Sequence, residues 1–150
     1  MDIKHSVDLI ESYLELDRKP VGIKFFFDKD EFDNFQVDQR TRKVTYCNSV
    51  QLASKGHAMK LTKDNQGCPN GAMALKMKDI PEPMANGKGR LSKNIYKDVE
   101  TSKSISDEML FLQEEPAGIA VMHLEDYKED PDVVVLVSSS YNVMRMIQGD

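Results

Sequence analysis

Apolar residues recur at spacings of three and four from the start of the chain, at Ile3, Val7, Ile10 and Leu14. That period predicts an amphipathic first helix ending near Leu16, and Pro20 blocks its continuation. Val21 to Phe27 is β-branched and aromatic and predicts a strand, with Lys24 at an edge or mouth. Asp28 to Asp38 is acidic and turn-rich, and Val44-Thr45-Tyr46 reads as a second short strand. Asn48 and Ser49 are good capping residues, so a helix is expected from about Asn48 to Lys55, closed by Gly56. His57 to Lys63 reads as a strand and Asp64 to Gly67 as a turn. Cys68-Pro69-Asn70-Gly71 opens a further helix through Met77, with proline in the first turn, where its missing N–H costs nothing.

Ile80 to Arg90 holds two prolines and two glycines and reads as a loop, and Leu91, Ile95 and Val99 have the spacing of a helix. Gly118 to Leu124 and Val133 to Val137 are the two clearest strands. The second is apolar on both faces, which predicts a central position. Ser138 to Ser140 offers a cap for a last helix carrying Val143, Met144 and Ile147. The mixed order predicts an α+β fold: a mixed or antiparallel sheet with helices packed against it, in a single domain over residues 1–150.

Composition narrows this picture. A chain of 150 residues with 40% hydrophobic and 30% charged residues is globular in type. A domain of that size buries about 68–70% of its unfolded surface, enough for a core without metal or disulfide staples. No apolar run approaches the roughly 20 residues of a membrane span. The start Met1-Asp2-Ile3-Lys4-His5 has no apolar signal region, so a cytoplasmic location is expected. The net charge of −5 suits a phosphate backbone poorly, which argues against nucleic acid as a partner.

The chemically distinctive residues are Cys47 and Cys68. Both are expected at helix starts, where unpaired N–H groups and the helix dipole favour thiolate, the nucleophilic and metal-binding form. The spacing is no zinc signature: there is no C-x-x-C, and His57 is the only further soft ligand nearby. A tetrahedral site needs four ligands, so one chain falls short unless a second subunit or a further segment completes it. Small buried cysteines without chemistry are the bland alternative.

Other features carry less. Asn86 to Lys93 is locally basic, with Lys88, Arg90 and Lys93 as candidate anion ligands, but it does not fit the phosphate-loop pattern. A flexible basic loop is the plainer reading. His123, between Met122 and Leu124, reads as a structural histidine, and the acidic stretch Glu125 to Asp132 reads as a solvated turn with no EF-hand spacing. The nine methionines fit core packing, with Met73 and Met77 one helical turn apart.

Four blocks carry a resemblance: RKPVGIKFF (Arg18 to Phe26), YCNSVQLASKG (Tyr46 to Gly56), GCPNGAMALKM (Gly67 to Met77) and PDVVVLVSSSYNVMRMIQG (Pro131 to Gly149). In order and spacing the chain resembles the uncharacterised ArCR family, a domain of unknown function. The resemblance implies that Cys47, Cys68, Gly56, Gly71 and Pro131 are signature positions. It also implies that members extend past the point matching Gly149 and carry more cysteines there, so this chain resembles a short or truncated member. It supplies no activity.

Three functional readings stand open. In the first, Cys47 and Cys68, with His57, hold an iron–sulfur cluster or zinc, or act as a redox dithiol. In the second, the chain is a non-catalytic module binding a small molecule or a protein. In the third it works as a homodimer. No Cys–His–Asp arrangement is legible, so whether the chain is an enzyme stays open.

Overall fold

A computed structural model describes residues 2–37 and 43–149, so Asp38, at the end of the expected acidic turn, lies outside the described residues. The chain groups into two compact units: Met1–Cys68 with Pro116–Asp150, and Pro69–Glu115.

The first unit opens with α1 (Ile3–Leu14), ending two residues before the expected Leu16 at a left-handed Glu15 with φ 45°. The Asp2 carboxylate caps it by accepting from the Lys4 and His5 N–H groups. β1 follows at Val21–Phe26. The stretch expected as a turn contains a short helix, α2 (Lys29–Asn34), whose cap Asp28 accepts from the Glu31 N–H at 2.8 Å. Val44-Thr45-Tyr46 is not a strand: Val44 forms one isolated parallel bridge to Gln66, Thr45 caps a helix, and Tyr46 begins it. That helix, α3 (Tyr46–Ala53), therefore starts two residues before the expected Asn48. Gly56 closes it as expected. With φ +90°, it lets His57 N–H reach Leu52 O and its own N–H reach Ala53 O.

The sheet adds β2 (Met59–Leu61), β3 (Gly118–His123) and β4 (Val133–Val135), all pairs antiparallel, in the order β2-β3-β1-β4. This is the α+β fold with an antiparallel sheet. β4 corrects the expectation of a central strand: it lies at the edge, with Val133 40% and Val134 46% exposed. An apolar run on both faces is as compatible with an uncovered edge as with burial.

The register divides the sheet into two faces. On one, Val21, Ile23, Met59, Leu61, Ile119 and Val121 are all buried, and α3 packs against β3. The other carries Gly22, Lys24, Phe26, Lys60, Ala120 and Met122. Ile3 and Val7 of α1 cluster with Met122, Leu124 and Tyr127, while Phe32 of α2 clusters with Phe26 and Ala120.

In the second unit α4 (Pro69–Ala74) is shorter than expected and stops before Met77. Two short helices, α5 (Glu82–Ala85) and α6 (Lys88–Leu91), occupy the segment expected as a loop. Leu91, Ile95 and Val99 do not share a helix: Leu91 ends α6, Val99 opens α7 (Val99–Asp107), and Ile95 between them is 71% exposed. Asn94 at φ 54° breaks the path, a conformation no right-handed helix allows. In the first unit, α8 (Ser140–Gln148) is capped by Ser139 as expected. Among the described residues no helix is long and apolar enough to cross a membrane.

Candidate functional site

The second sheet face carries a cleft of about 980 Å³ within the first unit. Its aromatic wall comes from three elements: Phe26 on β1, Phe35 just past α2, and Tyr127 after a 3₁₀ turn at Leu124–Asp126. Phe35 stacks against Tyr127 with ring centroids 6.2 Å apart and tilts against Phe26 at 4.9 Å.

Each wall residue is held by an identifiable contact. The Tyr127 ring occupies space that exists because Gly22 has no Cβ; a methyl there would overlap the ring. Its hydroxyl can donate to Ala120 O at 2.9 Å or Gly22 O at 3.1 Å. Burial pushes the phenol far above its ordinary pKa, so it stays a neutral donor. Phe35 is positioned through Lys60, which is 8% exposed. The Lys60 ammonium donates to Phe32 O and, at 3.1 Å, to Phe35 O, and lies 4.2 Å from the centre of the Phe32 ring. Burial pulls its pKa down, and the two carbonyls at the end of α2 answer the charge.

The rim is charged. Lys24 pairs with Glu129 at 2.9 Å; the hydrogen bond raises the lysine pKa and lowers that of the carboxyl. That pair cancels; Glu31, Asp126 and Lys128 are the remaining charges on the rim, with the Asp126 carboxylate 4.0 Å from His123 Nδ1. Asn34, Gln36, Gly56, His57 and Ala58 also line the cleft.

The residues singled out by sequence fall in four places. His57 is half-buried in the cleft. Cys47 is the second residue of α3 and exposed; Cys68 is half-buried just before α4, its N–H donating to Gln66 Oε1 at 3.1 Å. Neither is in a disulfide. Among the described residues no three of His, Cys, Asp or Glu come together as a metal site, so His57 does not join the two cysteines in a ligand cluster. Lys88 and Arg90 lie on α6 and Lys93 in the turn after it. Gly87, which caps α6, backs onto Val99 O and the Lys103 backbone of α7, so this segment is a packed helix pair and not an open loop. His123, half-buried at the end of β3, has Nδ1 3.9 Å from Glu125 and 4.0 Å from Asp126.

Phe35, Tyr127, Glu31 and Lys128 were not singled out by sequence. Asp28 followed three residues later by Glu31 is a helix-start pattern that would have placed α2 and the turn carrying Phe35. No local pattern marks Tyr127.

The molecule is thus an α+β protein whose antiparallel sheet carries an aromatic-walled cleft with a charged rim. The chain belongs to the uncharacterised ArCR family (domain of unknown function 169), whose model matches residues 9–149. An uncharacterised protein of Methanocaldococcus jannaschii is 24% identical over 152 residues, covering 99% of this chain and 64% of that protein. The chain therefore spans under two thirds of that relative's length. No solved structure matches the chain.

Proposed function

We propose that the chain is a non-catalytic small-molecule-binding module whose cleft takes an amine with a flat apolar body. The observation that supports this is the joining of an aromatic wall to a net acidic rim in one cleft of about 980 Å³. That volume lies in the range of ligand pockets, which are mostly apolar with few polar groups. With Lys24 and Glu129 cancelling, Glu31 and Asp126 outweigh Lys128, which favours a cation. The Phe35 ring, which is only partly buried, adds the attraction of an aromatic face for positive charge.

Phenethylamine and phenylacetate, matched in size and opposite in charge, test the reading by calorimetric titration. The amine is expected to bind saturably and at least about 10-fold tighter than the acid, roughly the effect of one well-placed charge. Phe35→Ala is expected to abolish binding, Asp126→Asn to weaken it, and Cys47→Ser to leave it unchanged. Equal binding of acid and amine, or binding indifferent to Phe35→Ala, overturns the proposal.

A second reading keeps the thiols, because of the parallel bridge between Val44 and Gln66. Cys47 and Cys68 lie three and two residues beyond that bridge, so the two segments leave it side by side in one direction. In this reading oxidised glutathione takes two electrons from the pair. One S–S bond forms within the protein, the glutathione disulfide breaks, and the two thiol protons end on two glutathione thiols. Loss of both titratable thiols, reversed by a reductant and absent in Cys47→Ser, is the expected result. Glutathione left attached at Cys47 alone counts against a pair. Iron or zinc retained after anaerobic purification and lost in Cys47→Ser favours the cofactor form of this reading.

A further inference from the structure

We propose that the second unit holds a separate binding site for a short aliphatic carboxylate, with Arg90 as its anion ligand. The site is a cavity of about 250 Å³, the room of about eight water molecules in the liquid. Its wall is apolar: Met73, Ile80, Met84, Met109 and Phe111. Methionines give such a wall adaptable shape.

The polar groups in the wall differ in one respect. Asp107 is answered by Lys103 at 2.5 Å, and the Ser106 hydroxyl donates to Ser102 O at 3.3 Å. Arg90 is not answered in this way. Its Nε is shielded from solvent and has no hydrogen-bond partner, and its Nη2 donates to Met109 Sδ, a weak acceptor. Nε–H and the Nη2 amino group form one edge of the guanidinium, the edge that takes both oxygens of a carboxylate in two parallel hydrogen bonds. An orphaned charged donor in an apolar cavity is costly on its own. A carboxylate displacing the thioether would satisfy both nitrogens at once, and the methionine and phenylalanine wall would take the alkyl chain. The Asp107 charge, held by Lys103, sets a limit: the carboxylate must sit on the Arg90 side.

This goes beyond the cleft reading, and the methionines distinguish the two sites. Met73, Met84 and Met109 line the cavity, whereas Met122 lines the cleft. Hexanoate added to full-length protein carrying ¹³C-methyl methionine is expected to shift the first three signals saturably and leave Met122 in place. 1-Hexanol, equal in chain and lacking the charge, is expected to bind at least about 10-fold more weakly, the discrimination typical of a satisfied charged hydrogen bond. Arg90→Gln is expected to remove the difference between the two probes, and Arg90→Lys, which keeps the charge but not the fork, to weaken hexanoate. Equal binding of hexanoate and hexanol by the wild-type chain overturns the proposal, whether or not the variants fold. So do shifts confined to Met122, or no saturable shift at all.

Discussion

β3 and β4 are both short apolar runs, yet they sit in opposite environments. Ile119, Ala120 and Val121 of β3 are fully buried, between β2 and β1 in a strand that α3 packs against. Val133 and Val134 of β4 are near half-exposed, paired on one side only with β1. The difference lies in neighbours. Residue type makes each run competent for a sheet; only partners on both sides and a helix on a face make it core. The cleft follows from this asymmetry. β3 supplies part of its buried back through Met122, and the 123–132 turn leading to β4 supplies Asp126, Lys128 and Glu129 of its charged rim.

The largest expected contrast is a matched pair of truncations. Ile119→Ala should cost about 2–5 kcal/mol, as removal of a fully buried branched side chain does. Val134→Ala should stay within about 0.5 kcal/mol, because half its side chain already meets solvent. Urea titration of both variants checks this. Equal losses would mean that the β4 edge is covered in solution by something this chain's own fold does not supply.

Tyr127→Phe gives a middle-sized effect. The phenol's one proton ties the turn before β4 to a carbonyl of the sheet, Ala120 O of β3 at 2.9 Å or Gly22 O of β1 at 3.1 Å. Losing it should cost about 1 kcal/mol, the usual net worth of such a bond plus the carbonyls left unmet. Amide hydrogen exchange sharpens the result. The Val133 to Val135 amides should exchange faster in the variant, and the β3 amides should follow only the global stability. Uniform acceleration of both strands would remove the claimed independence of β4.

These regions also differ in how far sequence reveals them. α1, β1, β3, α8 and the Gly56 closure follow from local signals: apolar period, β-branched runs, and a serine or glycine at the right end. The edge position of β4 is not legible, because Val133 to Val137 contains no mark of an edge, neither lysine nor proline, that would distinguish it from a central strand. α2 is six residues long and mostly acidic, too short for a period to show. α5, α6 and α7 lie around proline and glycine, where loop and short helix share one composition. The candidate cleft was legible only at its fringe, in His57 and Lys24. Its aromatic wall joins Phe35 to Tyr127 across the sheet, and it depends on the missing Cβ of Gly22, a pairing visible only once β1 and the 123–132 turn are in place.

The smallest expected effect tests the charged side of the comparison. Glu129, in the turn before β4, pairs with Lys24 of β1. The hydrogen bond from Lys24, then its charge, holds the carboxyl below the ordinary glutamate value of 4.5. The folded state therefore binds that proton less readily than the unfolded chain. The pair's contribution is present above pH 4.5 and fades as pH falls from there through the lowered folded value. On the other side, the partner raises the Lys24 pKa above 10.5, so its contribution is present below that value and fades as pH rises through the raised one. Because Glu129 is exposed, solvent and salt screen the pair, and the effect should be small. Glu129→Gln should thus separate slightly from wild type in urea midpoint at pH 7, with the separation shrinking as pH falls below 4.5. The gap should narrow in 1 M salt. A gap that stays unchanged from pH 7 down to pH 2 would assign the loss to packing of the turn, and would remove the ion pair as the tie between β1 and the approach to β4.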